Sequence, residues 1–146
     1  MKYQQGKELK EFNCLYKELD ELYHELAIKA GLSDSAFSIL YAIIEMGDGC
    51  MQKEISELYS LSRQTINSSI QNLKSKGYIS LTQGKGRDKH IHLTAAGQQL
   101  TEDKILPVIK MENEVFSDMS PNESRELLRL TKKYIQLFRE KTEQIL

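Results

Sequence analysis

Between Arg63 and Gln71 the chain reads RQTINSSIQ, a run of amides and hydroxyls opened by a guanidinium. Gln64, Thr65, Asn67, Ser68 and Gln71 offer the paired donors and acceptors that suit base edges in a major groove, as Gln or Asn does to adenine. Arg63 can reach guanine or a phosphate, and Lys74 adds a cation further along. A dozen residues on, QGKGRDK brings Lys85, Arg87 and Lys89 into one short loop with two glycines. A flexible cationic tip of this kind suits phosphate neutralisation or entry into a minor groove. A helix that merely faces water carries Glu, Lys and Arg, whose helix propensity exceeds that of Ser, Thr and Asn. The polar run gives up propensity, and base reading is a use that would justify it.

Other chemistries find less support. No nucleophile has a base in a plausible frame and no carboxylate pair suggests acid–base work, so an enzyme is not expected. His90 and His92 lie two apart, but only three histidines exist and no acid is suitably spaced as a further ligand; neither a metal nor another cofactor is expected. Cys14 and Cys50 are too few for a disulfide framework and lack C-x-x-C spacing, which leaves reduced thiols, with Cys14 read as buried and inert. No apolar stretch approaches the roughly 18 residues of a membrane span. The opening MKYQQGKELK has no signal-peptide core, so a cytoplasmic protein without a membrane partner is expected.

The formal net charge of −1 conceals an uneven distribution. Residues 51–90 hold seven Lys or Arg against three acids, a surplus of four that leaves −5 on the remainder. A basic middle in an acidic whole is the footprint of a small DNA-binding module on a neutral scaffold, although a solvated charged face has the same composition.

The elements that must position these groups follow from periodicity. At 146 residues, 40% hydrophobic and 28% charged, the chain can bury one respectable core. Phe12, Leu15, Leu19, Leu22 and Leu26 recur at helical steps and Gly31 ends that helix. Ser33 caps a second, with Phe37, Leu40, Tyr41 and Ile44 as its buried stripe. A short third helix, about 52–59, is expected to bury Ile55 and Leu58. Ser62 caps the fourth, in which Ile66, Ile70 and Leu73 face inward, turning Gln64, Ser68, Gln71 and Ser75 outward with Thr65 and Asn67 at the flanks. Gly77 stops it. YISLT and HIHLT alternate as a hairpin, with Ile79, Leu81, Ile91 and Leu93 inward and the basic loop as its tip, a wing. A long helical stretch follows, in which Pro107 should impose a kink. Ser120, Pro121 and Glu123 then open a C-terminal helix running to about Gln144, with Leu127, Leu130, Tyr134, Leu137 and Phe138 on one stripe. The terminal helices carry more apolar surface than a small winged core can cover. Packing within one chain is one outcome. A homodimer is favoured, since two-fold symmetry would also set two recognition helices about 34 Å apart, matching successive major grooves.

The order and motifs resemble the MarR family of bacterial transcription regulators over essentially the whole chain. QKEISELYSLSRQTINSSIQNLKSKGYI is similar to its helix-turn-helix, with Leu73, Lys76, Gly77, Tyr78 and Ile79 on the L-x-x-K-G-[LY]-I ending, and RDKHIHLTAAG is similar to its wing pattern R-x-x-x-[IL]-x-L-T-x-x-G. The resemblance implies a mainly α fold: a winged helix-turn-helix core at about 33–96, a two-stranded wing, and dimerisation helices at about 4–30 and 97–146. It implies a homodimeric repressor on palindromic double-stranded DNA, released by a small molecule or oxidant, with no enzymatic activity. It places an effector cleft that Tyr16, Tyr23, Phe37 and Tyr41 would line. One branch senses peroxide through a first-helix cysteine, from which Cys14 is displaced by about a turn. Two departures stand out. Lys85 occupies the place of the acid that normally holds the wing arginine, here Arg87, so either Asp88 substitutes or the tip is looser. The third helix also lacks the usual Ser or Thr at its start, which predicts a frayed or backbone-capped end. The rivals are a winged-helix module that binds an acidic protein surface, and a thiol- or metal-sensing regulator of the same fold.

Overall fold

The computed structural model describes residues 4–145; the first three residues of the N-terminal stretch and Leu146 lie outside them. In chain order the elements are α1 (Lys7–Lys29), α2 (Asp34–Met46), α3 (Gln52–Tyr59), α4 (Arg63–Ser75), β1 (Ile79–Gln83), β2 (Lys89–Leu93), α5 (Ala95–Lys104), α6 (Leu106–Asp118) and α7 (Pro121–Glu143). This is the expected mainly α, winged helix-turn-helix class. Two compact units part between Pro107 and Val108.

In the first unit α2 is the central helix. Ser33 caps it, its hydroxyl accepting the Ala36 N–H at 3.2 Å. Ala36, Phe37, Ile39, Leu40, Ala42 and Ile43 are buried, whereas Tyr41 and Ile44 of the expected stripe are half-buried. The stripe is wider than expected and its centre lies elsewhere because α2 packs against α1, α3 and α4 rather than against one neighbour. Around it Ile55, Ile66, Ile70, Leu73, Ile91 and Ile105 have essentially no exposed surface. Each such side chain contributes roughly 1.5–3 kcal/mol relative to exposure.

Leu58 departs from expectation: it is 52% exposed. The inward arc of α3 runs from Ile55 toward Tyr59, at four-residue spacing, and Leu58 falls on the other side of Ile55. The start of α3 is also better held than its sequence suggests. Glu54 reaches back so that its carboxylate accepts the Met51 N–H at 2.7 Å. The preceding residues pair with β2, Gly49 N–H to Ile91 O at 2.8 Å and Ile91 N–H to Cys50 O at 2.9 Å. Thus neither fraying nor capping by backbone alone describes it.

The hairpin pairs Ile79 with Leu93, Leu81 with Ile91 and Gln83 with Lys89. Ile79 and Ile91 are buried and Leu81 and Leu93 half-buried, as the alternation predicts. Thr94, read as the end of a strand, instead caps α5: its hydroxyl accepts the Gly97 N–H at 3.1 Å. Gly97 itself is required, since a Cβ there would overlap the Tyr78 carbonyl oxygen. Helix α5 ends at Lys104 and α6 begins at Leu106. The break comes just before Pro107, whose ring lacks an N–H for the carbonyl four residues back and crowds it.

In the second unit Ser120 and Glu123 form the expected capping box, with the Glu123 N–H on the Ser120 hydroxyl at 3.2 Å and the Ser120 N–H on the Glu123 carboxylate at 2.8 Å. The Ser120 N–H, and then the Ser120 hydroxyl, hold the Glu123 carboxyl below its usual range. Helix α7 buries no residue within the chain.

Candidate nucleic-acid interface

Helix α4 is built as its periodicity requires. The Ser62 hydroxyl accepts the Thr65 N–H at 3.1 Å, and Gly77, in left-handed backbone at φ 78°, ends the helix where a side chain would be strained. Ile66, Ile70 and Leu73 are buried, and so is Ser69, which the sequence reading passed over. The Ser69 hydroxyl pairs with that of Ser35, so a polar group on the inner face is satisfied across the α2–α4 contact. Arg63, Gln64, Thr65, Asn67, Ser68, Gln71 and Lys74 are all exposed. The face carries amides and hydroxyls together, with a cation at each end.

The wing tip is shorter and more ordered than a flexible seven-residue loop. Gln83 and Lys89 pair in the ladder, leaving Gly84–Asp88 as the turn. Gly84 N–H donates to Asp88 O at 2.9 Å and Asp88 N–H to Lys85 O at 3.1 Å. The Gln83 amide spans the turn to Gly86 O at 2.6 Å. At the base of the wing, Asp48 accepts the Leu93 N–H at 2.7 Å and faces His92 Nδ1 at 3.1 Å. The Leu93 N–H, and then His92, hold the Asp48 carboxyl below its usual range. His92 Nε2 also meets the Thr82 hydroxyl at 2.9 Å, and His90 Nδ1 donates to Gly49 O at 2.7 Å. Both histidines therefore tie the wing to neighbouring chain.

Asp88 does not take over the role of the missing acid. Its carboxylate lies 3.2 Å from Lys53 Nζ of α3. Arg87 and Arg63 have no hydrogen-bond or ion-pair partner among the described residues. Both border a groove of about 360 Å³ that Gln52 and Lys53 of α3, Asn67 of α4 and Lys89 of the wing also line. Within it the Gln52 side-chain amide donates to Asn67 Oδ1. The fold thus brings Arg63, Asn67, Arg87 and Lys89 to one groove. It leaves Gln64, Ser68 and Gln71 on the helix face beside it, and Lys85 exposed at the tip. Gln52 and Lys53 were not legible as members, because no local pattern links them to partners 15 and 35 residues away.

The aromatic residues placed at an effector cleft divide differently. Phe37 is buried and its ring centre lies 6.5 Å from that of half-buried Tyr41. Tyr16 and Tyr23 lie on exposed surface of α1, Tyr16 stacked on Phe12 at 6.4 Å. Cys14, expected to be buried, is exposed, because within this chain α1 buries only Ala27. Cys50 is the buried thiol, pushed up to about 11 by desolvation and then by the nearby Glu54 and Asp48 charges. Among the described residues no cluster of three His, Cys, Asp or Glu is placed to hold a metal ion, and no single helix is long and apolar enough to cross a membrane.

Comparison with known proteins agrees with this geometry. The sequence model of the MarR family matches residues 30–88, the span from the α1–α2 turn to the wing tip. The uncharacterized HTH-type transcriptional regulator YwoH of Bacillus subtilis (strain 168) is 26% identical over 107 residues, covering 73% of this chain and 77% of that protein. NMB1585, a MarR family regulator from Neisseria meningitidis, superposes with a TM-score of 0.81 at 17% identity, over 97% of this chain and all of the other. MepR in the S. aureus MepR–DNA complex superposes with a TM-score of 0.71 at 21% identity, over 91% and 99%. At such identities the structures establish the fold alone. The MarR family's sequence model thus matches the helix-turn-helix and most of the wing, and the chain shares the fold of MarR family structures over nearly its whole length.

Proposed function

We propose that this protein is a sequence-specific DNA-binding transcriptional regulator that acts in the cytoplasm as a homodimer, repressing from a palindromic operator and responding to a small-molecule effector. The observation that carries the reading is the outward face of α4: amides and hydroxyls are exposed together, flanked by Arg63 and Lys74 and bordered by a wing whose Arg87 is unpaired among the described residues. Gln64, Thr65, Asn67, Ser68 and Gln71 read base edges, while Lys85, Arg87 and Lys89 neutralise phosphates or enter the minor groove. MepR, solved on DNA, supports this assignment through its shared fold.

Dimerisation is supported by the apolar stripes that each unit leaves uncovered, Leu15, Leu19 and Leu22 on α1 and Leu127, Leu130, Tyr134, Leu137 and Phe138 on α7. A second copy would cover them. The effector site is the aromatic set Tyr16, Tyr23, Phe37 and Tyr41, enclosed once the dimer forms.

A gel shift with the DNA upstream of the protein's own gene, competed against random duplex, tests the central claim. Retention of the shift by a large excess of random duplex is the expected result. Competition at equal efficiency would remove sequence specificity, and no shift at all would remove DNA binding.

A further inference from the structure

Two adjacent residues at the start of α3 reach two different elements. Gln52 donates its side-chain N–H to Asn67 Oδ1 on α4. Lys53, one residue on, holds the Asp88 carboxylate of the wing tip at 3.2 Å. All four side chains line the same groove, with Arg63 and Arg87 beside them. Successive helical residues diverge by about 100°, which is what allows one turn of α3 to tie α4 and the wing at once.

We propose that Gln52 and Lys53 are positioning residues that set what the interface reads. This rests on the DNA-binding reading above. The Gln52 contact acts on the chemistry of Asn67. An asparagine amide that reads adenine uses its oxygen and its nitrogen together, accepting from N6–H and donating to N7. Gln52 takes one of the two acceptor lone pairs of Asn67 Oδ1, while the Nδ2 donors stay uncommitted. The amide is thereby biased toward a base edge made of acceptors, such as O6 and N7 of guanine, and away from adenine. Gln52 touches no base in this account. It acts by biasing which end of Asn67 meets the base.

The Lys53–Asp88 pair acts on the wing. Two residues before Arg87 stands a cation, Lys85, and the adjacent Asp88 turns to α3. The tip is therefore anchored from outside itself, and Arg87 is left with its full charge for the ligand. Both side chains of the pair are partly solvent-exposed, so its effect is on placement of the tip and not on global stability.

The test selects binding sites from a random duplex library with the full-length protein and with Gln52→Ala, Asn67→Ala and Gln52→Ala/Asn67→Ala. The wild type is expected to prefer guanine at one position per half-site. Gln52→Ala should lose that preference by about fivefold or more, the lower end of one base contact, or convert it to adenine. It should keep the preferences at the other positions and an unchanged thermal midpoint. Asn67→Ala should abolish the preference, and the double variant should add nothing to it. The same guanine preference in Gln52→Ala as in wild type would overturn the Gln52 assignment. A wild-type preference for adenine at the position that responds to Asn67→Ala would do so too. A wild type that selects no site would instead remove the DNA reading itself, so the two failures are distinguishable.

For the wing, hydrogen exchange of the Gly84–Asp88 amides in the absence of DNA provides a readout independent of binding. Lys53→Met and Asp88→Asn should each speed exchange there, and the double variant should speed it no more than either alone. Exchange unchanged in both single variants would overturn the Lys53 assignment.

Discussion

Arg87 illustrates how a single charge is made available. The turn around it is closed by backbone hydrogen bonds and by Gln83, while Asp88, its neighbour, is drawn off to Lys53. Arg87→Ala is expected to weaken operator binding with the fold intact. Lys85→Ala should act mainly through phosphate contact, lowering the salt slope of log Kd by about one; titrations at several salt concentrations read both. A second residue-scale expectation concerns Asp48. Its folded pKa is depressed by the Leu93 N–H and then by His92, so its contribution is fully present above the unfolded carboxylate value of about 4. That contribution is lost as pH falls through the lower folded value. Asp48→Asn should therefore be less stable than wild type at neutral pH, with the difference shrinking below about pH 4. Urea midpoints measured from about pH 2 to 7 would show it.

At the scale of elements, α4 and the contact between the wing and α5 carry opposite kinds of constraint. The outer face of α4 is exposed, its Asn67–Gln52 contact included, so alanine at Gln64, Asn67, Ser68 or Gln71 should leave stability nearly unchanged. Each should weaken binding to the selected site by about 1–3 kcal/mol, and to random duplex far less. Equal losses on both DNAs would show that this face does not read bases. Gly97 is all packing. Glycine to alanine within a helix is ordinarily stabilising by up to about 1 kcal/mol, yet here the added Cβ meets the Tyr78 carbonyl. Gly97→Ala is expected to destabilise by about 1–3 kcal/mol, and the sign of the change in thermal midpoint decides the point. The caps of α2, α4 and α7 were legible because Ser33, Ser62 and Ser120 act on residues three away. The exposure of Leu58 was not, since helical spacing alone did not say which side of Ile55 the core occupies.

For the whole molecule, the exposed stripes on α1 and α7 set the expectation. A monomer rarely leaves apolar stripes of this length uncovered in water. An obligate two-fold dimer is therefore expected, and sedimentation at micromolar concentration measures it directly. Truncation before Ser120 should give aggregation or unfolding and not a stable monomer, because obligate dimers often have no folded monomeric state. A well-folded monomer of 16.8 kDa that still bound a palindrome tightly would overturn this.

What the sequence determined by itself was local or periodic. It includes the helix caps, the inward set Ile66, Ile70 and Leu73, the alternation of the hairpin, the basic tip and the break near Pro107. All of these depend on residues within a few positions of one another, and backbone geometry makes such spacings readable. Tertiary structure alone decided the rest. It turned Asp88 toward Lys53 rather than Arg87 and set Gln52 on Asn67. It also paired Ser35 with Ser69, left Cys14 exposed and Cys50 buried, and made Gly97 indispensable. Each of these depends on which side chain arrives opposite another across a packed interface. Residues distant in sequence meet only once the common core around α2 has closed, and no spacing along the chain encodes that meeting.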